Sequence, residues 1–155
     1  MQLKDKHITV VGLGKTGEAL ARFLSRRGAL VTVTDSAVES LLQEAANRLA
    51  NTPVNLKLGG HELADFTGAD LVVMSPGVPH TAEPVKAAIK AGVPVIGEIE
   101  LAGRFLETPI VAVTGTNGKS TATRLIGEML ERSGYRVFVG GNLGTPLISY
   151  VDSDL

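Results

Sequence analysis

The chain has 155 residues, of which 44% are hydrophobic and 20% are charged. This composition excludes disorder and collagen-like repeats, and the length suffices for one domain and part of another. A net charge of -1 provides no basic surface for a nucleic-acid backbone, and the absence of cysteine excludes disulfides and cysteine-ligated zinc. The apolar runs are too short for a membrane span and the N-terminus is too polar for a signal peptide. We therefore expect a soluble, cytoplasmic protein without nucleic-acid or membrane partners.

Short runs rich in β-branched residues alternate with helical patterns, which is typical of βα units around a buried parallel sheet. The runs predict strands at 7–12, 30–34, 54–58, 70–74 and 93–97. Helices are predicted at 15–27 and 37–49, each with an apolar face that can cover the sheet. The second helix is expected to bury Leu41, Leu42, Ala45 and Leu49. The predicted fold class is α/β, with a Rossmann-like domain over residues 1–93.

A second unit is predicted from residue 94 onward, with the junction somewhere in 94–108. It contains predicted helices at 98–106 and 119–133 and predicted strands at 110–114 and 136–140. A parallel nucleotide-binding sheet has about five to six strands with both faces covered. We therefore expect residues 94–155 to be only the beginning of a P-loop ATP-binding domain, truncated after the acidic stretch at 151–155.

The sequence Gly-Leu-Gly-Lys-Thr-Gly at 12–17 follows a predicted strand and opens a predicted helix. In this context Gly12 makes a tight turn, Gly14 lets the backbone approach a pyrophosphate, and Gly17 permits close helix packing. The helix N-terminus adds free amide groups and a partial positive charge. The motif predicts a phosphate-binding loop, although the glycines alone could simply shape a βα turn.

Asp35 ends the second predicted strand, 18 positions after Gly17. An acid about 20 residues after such a loop can reach a ribose hydroxyl. The alternative is that Asp35 only caps a helix beginning at Ser36. NAD, FAD and UDP-sugars all contain a pyrophosphate, so these features do not choose among them.

A second and more specific loop, Thr-Gly-Thr-Asn-Gly-Lys-Ser-Thr, occupies residues 114–121. In a P-loop, backbone amides cradle phosphates, the lysine (here Lys119) reaches the β- and γ-phosphates, and the hydroxyl of Ser120 can ligate magnesium. The general pattern has glycine where this chain has Val113, and Gly115 supplies the turn instead. The loop predicts ATP as the second ligand, together with Mg²⁺.

These motifs resemble those of a known family. The loop at 114–120 resembles the ATP loop of the Mur ligases and folylpolyglutamate synthetases, in which position 113 is not glycine either. The sequences Gly-Gly-Asn-Leu-Gly at 140–144 and Ser-Pro-Gly-Val at 75–78 resemble further motifs of the Mur ligases. Together with the loop at 12–17 and Gly-Glu-Ile-Glu-Leu at 97–101, they are most similar to the Mur ligases that act on UDP-N-acetylmuramoyl-L-alanine.

The resemblance implies an ATP-dependent ligase of peptidoglycan synthesis, which adds D-glutamate to UDP-N-acetylmuramoyl-L-alanine through an acyl phosphate. It also implies that the first domain binds a UDP-sugar and not a dinucleotide. The implied substrate-binding residues are Gly14, Lys15, Thr16 and Gly17 at the pyrophosphate, Asp35 and Ser36 at the uracil, and Gly77 and Asn142 along the muramoyl path. The implied ATP-binding residues are Gly115, Thr116, Asn117, Gly118, Lys119, Ser120 and Thr121. Lys119 would be catalytic and Ser120 would ligate Mg²⁺.

Residues 1–155 alone are expected to be monomeric and to bind without catalysing. By resemblance, the further metal ligands and the D-glutamate pocket lie in a later part of the family's sequence. Two alternatives stay open. The first is an NAD-dependent oxidoreductase domain, which the loop at 12–17 and Asp35 favour but which has no use for a second phosphate loop. The second is a nucleotide-binding module without chemistry.

Other polar residues give weaker signals. None of the three histidines stands at metal-ligand spacing from another ligand; they are His7, His61 and His80. Glu98 is interpreted as the start of a helix, and it forms a poor carboxylate pair with Glu100, two positions later on the same helix. The Pro76-Gly77 pair could be a simple turn or a substrate loop.

Overall fold

The computed structural model describes residues 1–142 and 144–153, so Leu143 of the 140–144 motif lies outside the described residues, as do Asp154 and Leu155. The central element is a five-stranded parallel sheet. Its strands are β1 (His7–Val11), β2 (Leu30–Asp35), β3 (Val54–Leu58), β4 (Leu71–Met74) and β5 (Val95–Gly97). The helices of the described part are α1 (Lys15–Arg26), α2 (Glu39–Leu49), α3 (Leu63–Thr67), α4 (Glu83–Lys90), α5 (Glu98–Gly103), α6 (Lys119–Arg132) and α7 (Leu147–Ser153).

The strand order is β3-β2-β1-β4-β5, and all neighbouring strands are parallel. The α/β fold class and the five strands of the first unit are confirmed, with ends within about two residues of those predicted. Strand β5 pairs with β4, so the sheet extends to Gly97, past the expected domain end at residue 93. The chain builds outward from β1 to β3 and then returns to add β4 on the other side of β1. The carboxyl ends of β1 and β4 therefore flank the switch point, where ligands bind in open α/β sheets.

Both faces of the sheet are covered, which explains why its central strands are apolar at successive positions. Neighbouring residues of a strand point to opposite faces. The larger cluster, on the face covered by α1, includes Val10, Val73, Leu20 and Phe23. The cluster on the other face, covered by α3 and α4, includes Val11, Val72, Phe66 and Val85. The sheet is thus a rigid platform for the loops at its carboxyl edge.

Helix α2 covers the sheet less completely than its sequence predicts. Ala45 and Leu49 are buried and Leu42 packs against the core, but Leu41 is 77% exposed. Consecutive residues of an α-helix are about 100° apart. Since the face toward the sheet is set by Leu42, Ala45 and Leu49, the side chain of Leu41 turns toward solvent. The expectation that Leu41 is buried was wrong.

The second unit has helix α6 as predicted, but neither predicted strand is present. Residues 110–114 and 136–140 are not in any sheet of the described part. Val111 is 61% exposed. A strand forms only where its backbone amides and carbonyls find a neighbouring strand, and no such neighbour is present among the described residues. Residues 136–140 instead pass along α6, where Val139 lies so close to Gly127 that an added Cβ would be 2.5 Å from it.

Helix α7 is not predicted by the sequence. It packs on α1 and α5, and its Ile148 and Val151 belong to the core cluster of the first sheet. Asp152 accepts a hydrogen bond from Arg26 of α1 at 2.6 Å. The chain thus returns to the first domain after α6. No helix within 1–142 or 144–153 has both the length and the apolar character required to cross a membrane.

Candidate nucleotide-binding sites

The first glycine loop is held in place by close backbone packing. Gly12 has a φ of 95°, which favours glycine, and its amide donates to the carbonyl of Thr34 at 2.8 Å. A Cβ at Gly17 would lie 1.8 Å from the carbonyl oxygen of Gly12. These two glycines are therefore required by the fold itself, because they let α1 begin directly against the turn.

Gly14 is different, because it faces open space. It is the N-cap of α1 with a φ of -86° and a ψ of -168°, and a Cβ added there would meet no atom within 4 Å. The first amides of a helix have no partner within the helix, and the helix dipole makes this end positive. The backbone at Gly14, Lys15 and Thr16 is consequently arranged to receive an anion.

Lys15 lines a cavity of about 400 Å³ between α1 and α7, together with Ser149 and Asp152 of α7. Of the predicted pyrophosphate residues, Lys15 therefore lies at a junction between the first domain and the last described helix.

Asp35 holds the first loop to the end of β2. Its Oδ2 accepts a hydrogen bond from the amide of Leu13 at 2.7 Å, and its Oδ1 accepts one from the amide of Ala37 at 2.8 Å. Because α2 begins only at Glu39, Asp35 is not the cap of that helix. Each carboxylate oxygen has a second lone pair, so a ligand donor can still be accepted. Ser36 is exposed beside it.

The Ser-Pro-Gly loop follows β4 on the other side of the switch point. The amide of Ser75 donates to the carbonyl of Val11 at 3.0 Å, and its hydroxyl donates to the carbonyl of Gly12 at 3.3 Å. Gly77 is exposed, and a Cβ there would meet no atom within 4 Å. The structure thus brings the predicted residues after β1, β2 and β4 to one edge of the sheet.

The second glycine loop leads directly into α6. Gly118 is the N-cap with a φ of 77°, in the left-handed region, and Gly115 has a φ of 146°. The ammonium of Lys119 turns back over the loop and donates to the carbonyls of Gly115 and Thr116. Asn117 lies in the turn between these two glycines, and Ser120 and Thr121 are in the first turn of α6.

The described residues contain no cluster of potential metal ligands. No group of three or more histidine, cysteine, aspartate or glutamate side chains that could hold a metal is present in the described ranges. The ring of His61 lies 2.8 Å from the hydroxyl of Thr34 and edge-on to Phe66. What the second loop itself could offer a cation is the hydroxyl oxygen of Ser120, which suits Mg²⁺ together with phosphate and water oxygens.

The loop that contains Asn142 lies near the end of β5. The amide of Gly141 donates to the carbonyl of Thr145 at 2.8 Å, which closes a turn around the exposed Asn142. A Cβ built on Gly141 would be 3.8 Å from Cδ1 of Ile99. Since all five strands are parallel, this loop lies at the same edge of the sheet as the first loop.

Glu98 is the important residue that sequence reasoning missed. It does begin α5, as predicted, but its side chain is only 2% exposed. Its Oε1 accepts a hydrogen bond from the amide of Ile148 at 2.7 Å. Burial raises the pKa of Glu98, and the amides of Ile148 and Leu147 partly counteract this rise. From the sequence, Glu98 was compared only with Glu100 on the same helix, and that spacing carries no information about a hydrogen-bond partner 50 positions away.

The parallel sheet, with a glycine loop at its switch point, is that of a doubly wound nucleotide-binding α/β domain. A family model for the N-terminal domain of MurD-like Mur ligases matches residues 6–97. The chain therefore belongs to the MurD-like Mur ligase family.

Individual relatives agree with this assignment. The chain is 53% identical over 152 residues to a UDP-N-acetylmuramoylalanine--D-glutamate ligase of Desulfosudis oleivorans, covering 98% of this chain and 33% of that protein. It is 57% identical to the ligase of the same name from Anaeromyxobacter dehalogenans, covering 97% of this chain and 32% of that protein. The chain thus spans about a third of the length of these relatives.

A solved structure also resembles the whole chain. A pseudomurein peptide ligase type C from Methanothermus fervidus superposes with a TM-score of 0.53 at 25% identity. The match covers 95% of this chain and 31% of that one.

Proposed function

We propose that the chain is the substrate-binding part and the ATP loop of an enzyme that joins D-glutamate to UDP-N-acetylmuramoyl-L-alanine, as part of peptidoglycan synthesis in the cytoplasm. In this proposal, residues 1–97 bind the UDP-sugar and the following residues begin a central ATP-binding domain. The observation that carries the proposal is the presence of two glycine loops, each at the start of a helix, in a chain 53% identical to D-glutamate ligases of this specificity.

The family match supports a UDP-sugar over a dinucleotide at the first site, because the model that matches residues 6–97 is the N-terminal domain of MurD-like Mur ligases. Both oxygens of Asp35 accept backbone amides, and each keeps a lone pair for a donor on the ligand. The pyrophosphate would lie against the open backbone from Gly14 to Gly17. Uracil would lie toward Asp35 and Ser36, and the muramoyl group toward Gly77 and Asn142.

The chemistry follows from the carboxylate of the L-alanyl group. Its oxygen attacks the γ-phosphorus of ATP, the bond to the ADP oxygen breaks, and an acyl phosphate forms. The amine of D-glutamate then attacks the acyl carbon, loses a proton, and expels inorganic phosphate through a tetrahedral intermediate. The role of Lys119 is electrostatic, because its ammonium neutralises charge on the phosphoryl group during transfer.

The second loop fits ATP and Mg²⁺. The φ of Gly118 starts α6 in the conformation that presents the first helical amides to an anion, and the 14-residue helix adds its dipole. Gly115, Thr116, Asn117, Gly118 and Thr121 would surround the phosphates. Mg²⁺, held in part by the hydroxyl of Ser120, would offset charge on the β- and γ-phosphates.

Ligand-induced thermal shift on the 155-residue chain tests the first site. A ligand at 100 times its Kd adds about 2.7 kcal/mol of stability. For a chain of this size that is a rise in Tm of about 5–11 °C. UDP-N-acetylmuramoyl-L-alanine should produce this rise and NADH should not; the reverse pattern would favour an oxidoreductase domain.

The second site is tested by Lys119→Ala in the full-length ligase. We expect turnover to fall at least about a thousandfold, in line with the loss of a charge-stabilising group. Binding of the UDP-substrate should stay within about twofold, measured by calorimetry. Equal losses of turnover and of UDP-substrate binding would mean that Lys119 contacts the other ligand.

A further inference from the structure

We propose that Glu98 is a positioning residue, which holds the loop containing Asn142 against the substrate domain by binding the backbone at the start of α7. This inference rests on the proposed function, since it concerns how the muramoyl end of the same substrate is gripped. Glu98 lies outside the motifs of both glycine loops, at 12–17 and 114–121.

The first step is the location of Glu98. It directly follows Gly97, the last residue of β5, and therefore lies at the carboxyl edge of the sheet with the first glycine loop. Its carboxylate is buried with only 2% exposure, so it does not bind ligands from solvent. A buried carboxylate is costly unless hydrogen bonds compensate for lost water. Here the amide of Ile148, 2.7 Å from Oε1, compensates in part, and Oε2 has no hydrogen-bond partner among the described residues.

The second step is what this bond controls. Ile148 is in the first turn of α7, immediately after the segment that carries Asn142. That segment also passes beside α5, since a Cβ added to Gly141 would lie 3.8 Å from Cδ1 of Ile99, the neighbour of Glu98. The hydrogen bond between Ile148 and Glu98 links the end of the loop to the β5–α5 junction.

The third step is a comparison with the far end of α7. There Asp152 pairs with Arg26 at 2.6 Å and lies 3.8 Å from Arg27, and its own side chain is 16% exposed. Ile148 and Val151 are buried and pack α7 on the core. These contacts act on side chains of the helix, whereas Glu98 binds the backbone of its first turn, where the Asn142 loop ends. Glu98 thus fixes the end of that loop.

The test compares the affinities of UDP and of UDP-N-acetylmuramoyl-L-alanine, two ligands that share the UDP group. UDP reaches only the first glycine loop, whereas UDP-N-acetylmuramoyl-L-alanine also extends to Asn142. In calorimetry on the 155-residue chain, Glu98→Ala should weaken the full substrate about tenfold and leave UDP within about twofold. Glu98→Gln retains an amide oxygen that can accept the bond from Ile148, so it should lose only about threefold for the full substrate. Glu100→Gln, an exposed glutamate two positions away, is the matched control and should change neither affinity.

A double-mutant cycle adds a readout that general destabilisation does not alter. If Glu98 acts through the Asn142 loop, Glu98→Ala should weaken the full substrate no more than about twofold in an Asn142→Ala background. A full tenfold loss in that background would overturn the inference. The inference would also be overturned if both single variants of Glu98 bound the full substrate as tightly as the unaltered chain. Equal losses of affinity for UDP and for the full substrate would overturn it too.

Two further outcomes are informative. If Glu98→Ala does not fold, the affinities of Glu98→Gln alone test the inference. A threefold loss of affinity for the full substrate with UDP binding unchanged supports the positioning role. Equal effects on the two ligands, or none, overturn it. If the unaltered chain binds neither ligand, the proposed function fails first and the inference fails with it. Ligand binding by the unaltered chain therefore distinguishes a failure of the proposed function from a failure of the inference about Glu98.

Discussion

Two glycines of the first loop should differ in how alanine substitution affects stability: Gly17→Ala should destabilise the chain, and Gly14→Ala should not. An alanine at Gly17 would place its Cβ 1.8 Å from the carbonyl oxygen of Gly12, so α1 or the turn must move by more than an ångström. An alanine at Gly14 would meet nothing within 4 Å and would keep an extended backbone that any residue adopts. Gly17 is thus a packing glycine, and Gly14 faces open space that the proposed ligand would occupy.

The expected magnitudes follow from these contacts. Overpacking costs about 1–3 kcal/mol. The gain from replacing a helical glycine by alanine is about 1 kcal/mol at most. Because the collision at Gly17 is with backbone at 1.8 Å, the upper part of the overpacking cost, about 2–3 kcal/mol, applies. After the gain, Gly17→Ala should destabilise the chain by about 1–2 kcal/mol net, which lowers Tm by about 2–8 °C. It should also weaken UDP binding, because the displaced loop no longer presents its amides.

Gly14→Ala should leave the free energy of unfolding within about 0.5 kcal/mol, since neither strain nor collision results. It should nevertheless weaken UDP binding about tenfold or more, because the methyl group occupies the space that a phosphate needs. Urea denaturation and calorimetry on the same samples measure both quantities. The reasoning would be refuted if Gly17→Ala were as stable as the parent, or if Gly14→Ala bound UDP normally.

The remaining predictions concern stability. Asp35→Ala should cost about 2–4 kcal/mol in urea denaturation, because two backbone amides lose a charged acceptor, and Asp35→Asn should cost less. Ile148→Ala should cost about 2–5 kcal/mol if α7 is docked in the core, and a cost below about 1 kcal/mol would show that it is not. The hydrogen bond from Lys6 lowers the pKa of Asp70, so this pair's stabilisation is complete above the ordinary pKa of 3.8 and is lost as pH falls through the lower folded pKa. Asp70→Asn should accordingly be less stable than the parent at neutral pH and equal to it in strong acid; a constant difference would exclude the ion pair as its cause.

The first domain was predictable because each of its signals is local. Continuous runs of buried residues such as 7–11 and 71–74 are typical of a parallel sheet covered on both faces, and a glycine loop between strand and helix has few other interpretations. The motif itself predicts close packing at Gly17 and an open backbone at Gly14. The sequence could not name the atom that makes Gly17 a packing position, the carbonyl oxygen of Gly12, because only the fold brings it there.

The second unit was harder because its signals depend on distant partners. Residues 110–114 have the composition of a strand, but strand formation requires a neighbour with which to exchange hydrogen bonds. Helix α7 is short, and its burial comes from contact with α1 and α5, more than 40 positions earlier. Periodicity over so few residues carries little information, and no local pattern encodes a contact of that range.

The same distance explains why Glu98 was overlooked and why it matters. Sequence reasoning evaluated it against Glu100, its neighbour on one helix, although its hydrogen bond is to Ile148 of another. A buried carboxylate with one oxygen unpartnered among the described residues is costly, so its hydrogen bond to the backbone is a strong candidate for a role in the site. The bond at Glu98 joins the end of the first sheet to the chain that returns from α6. Under the proposed function, the orientation of that return segment would decide whether the muramoyl end is held where the phosphoryl group arrives.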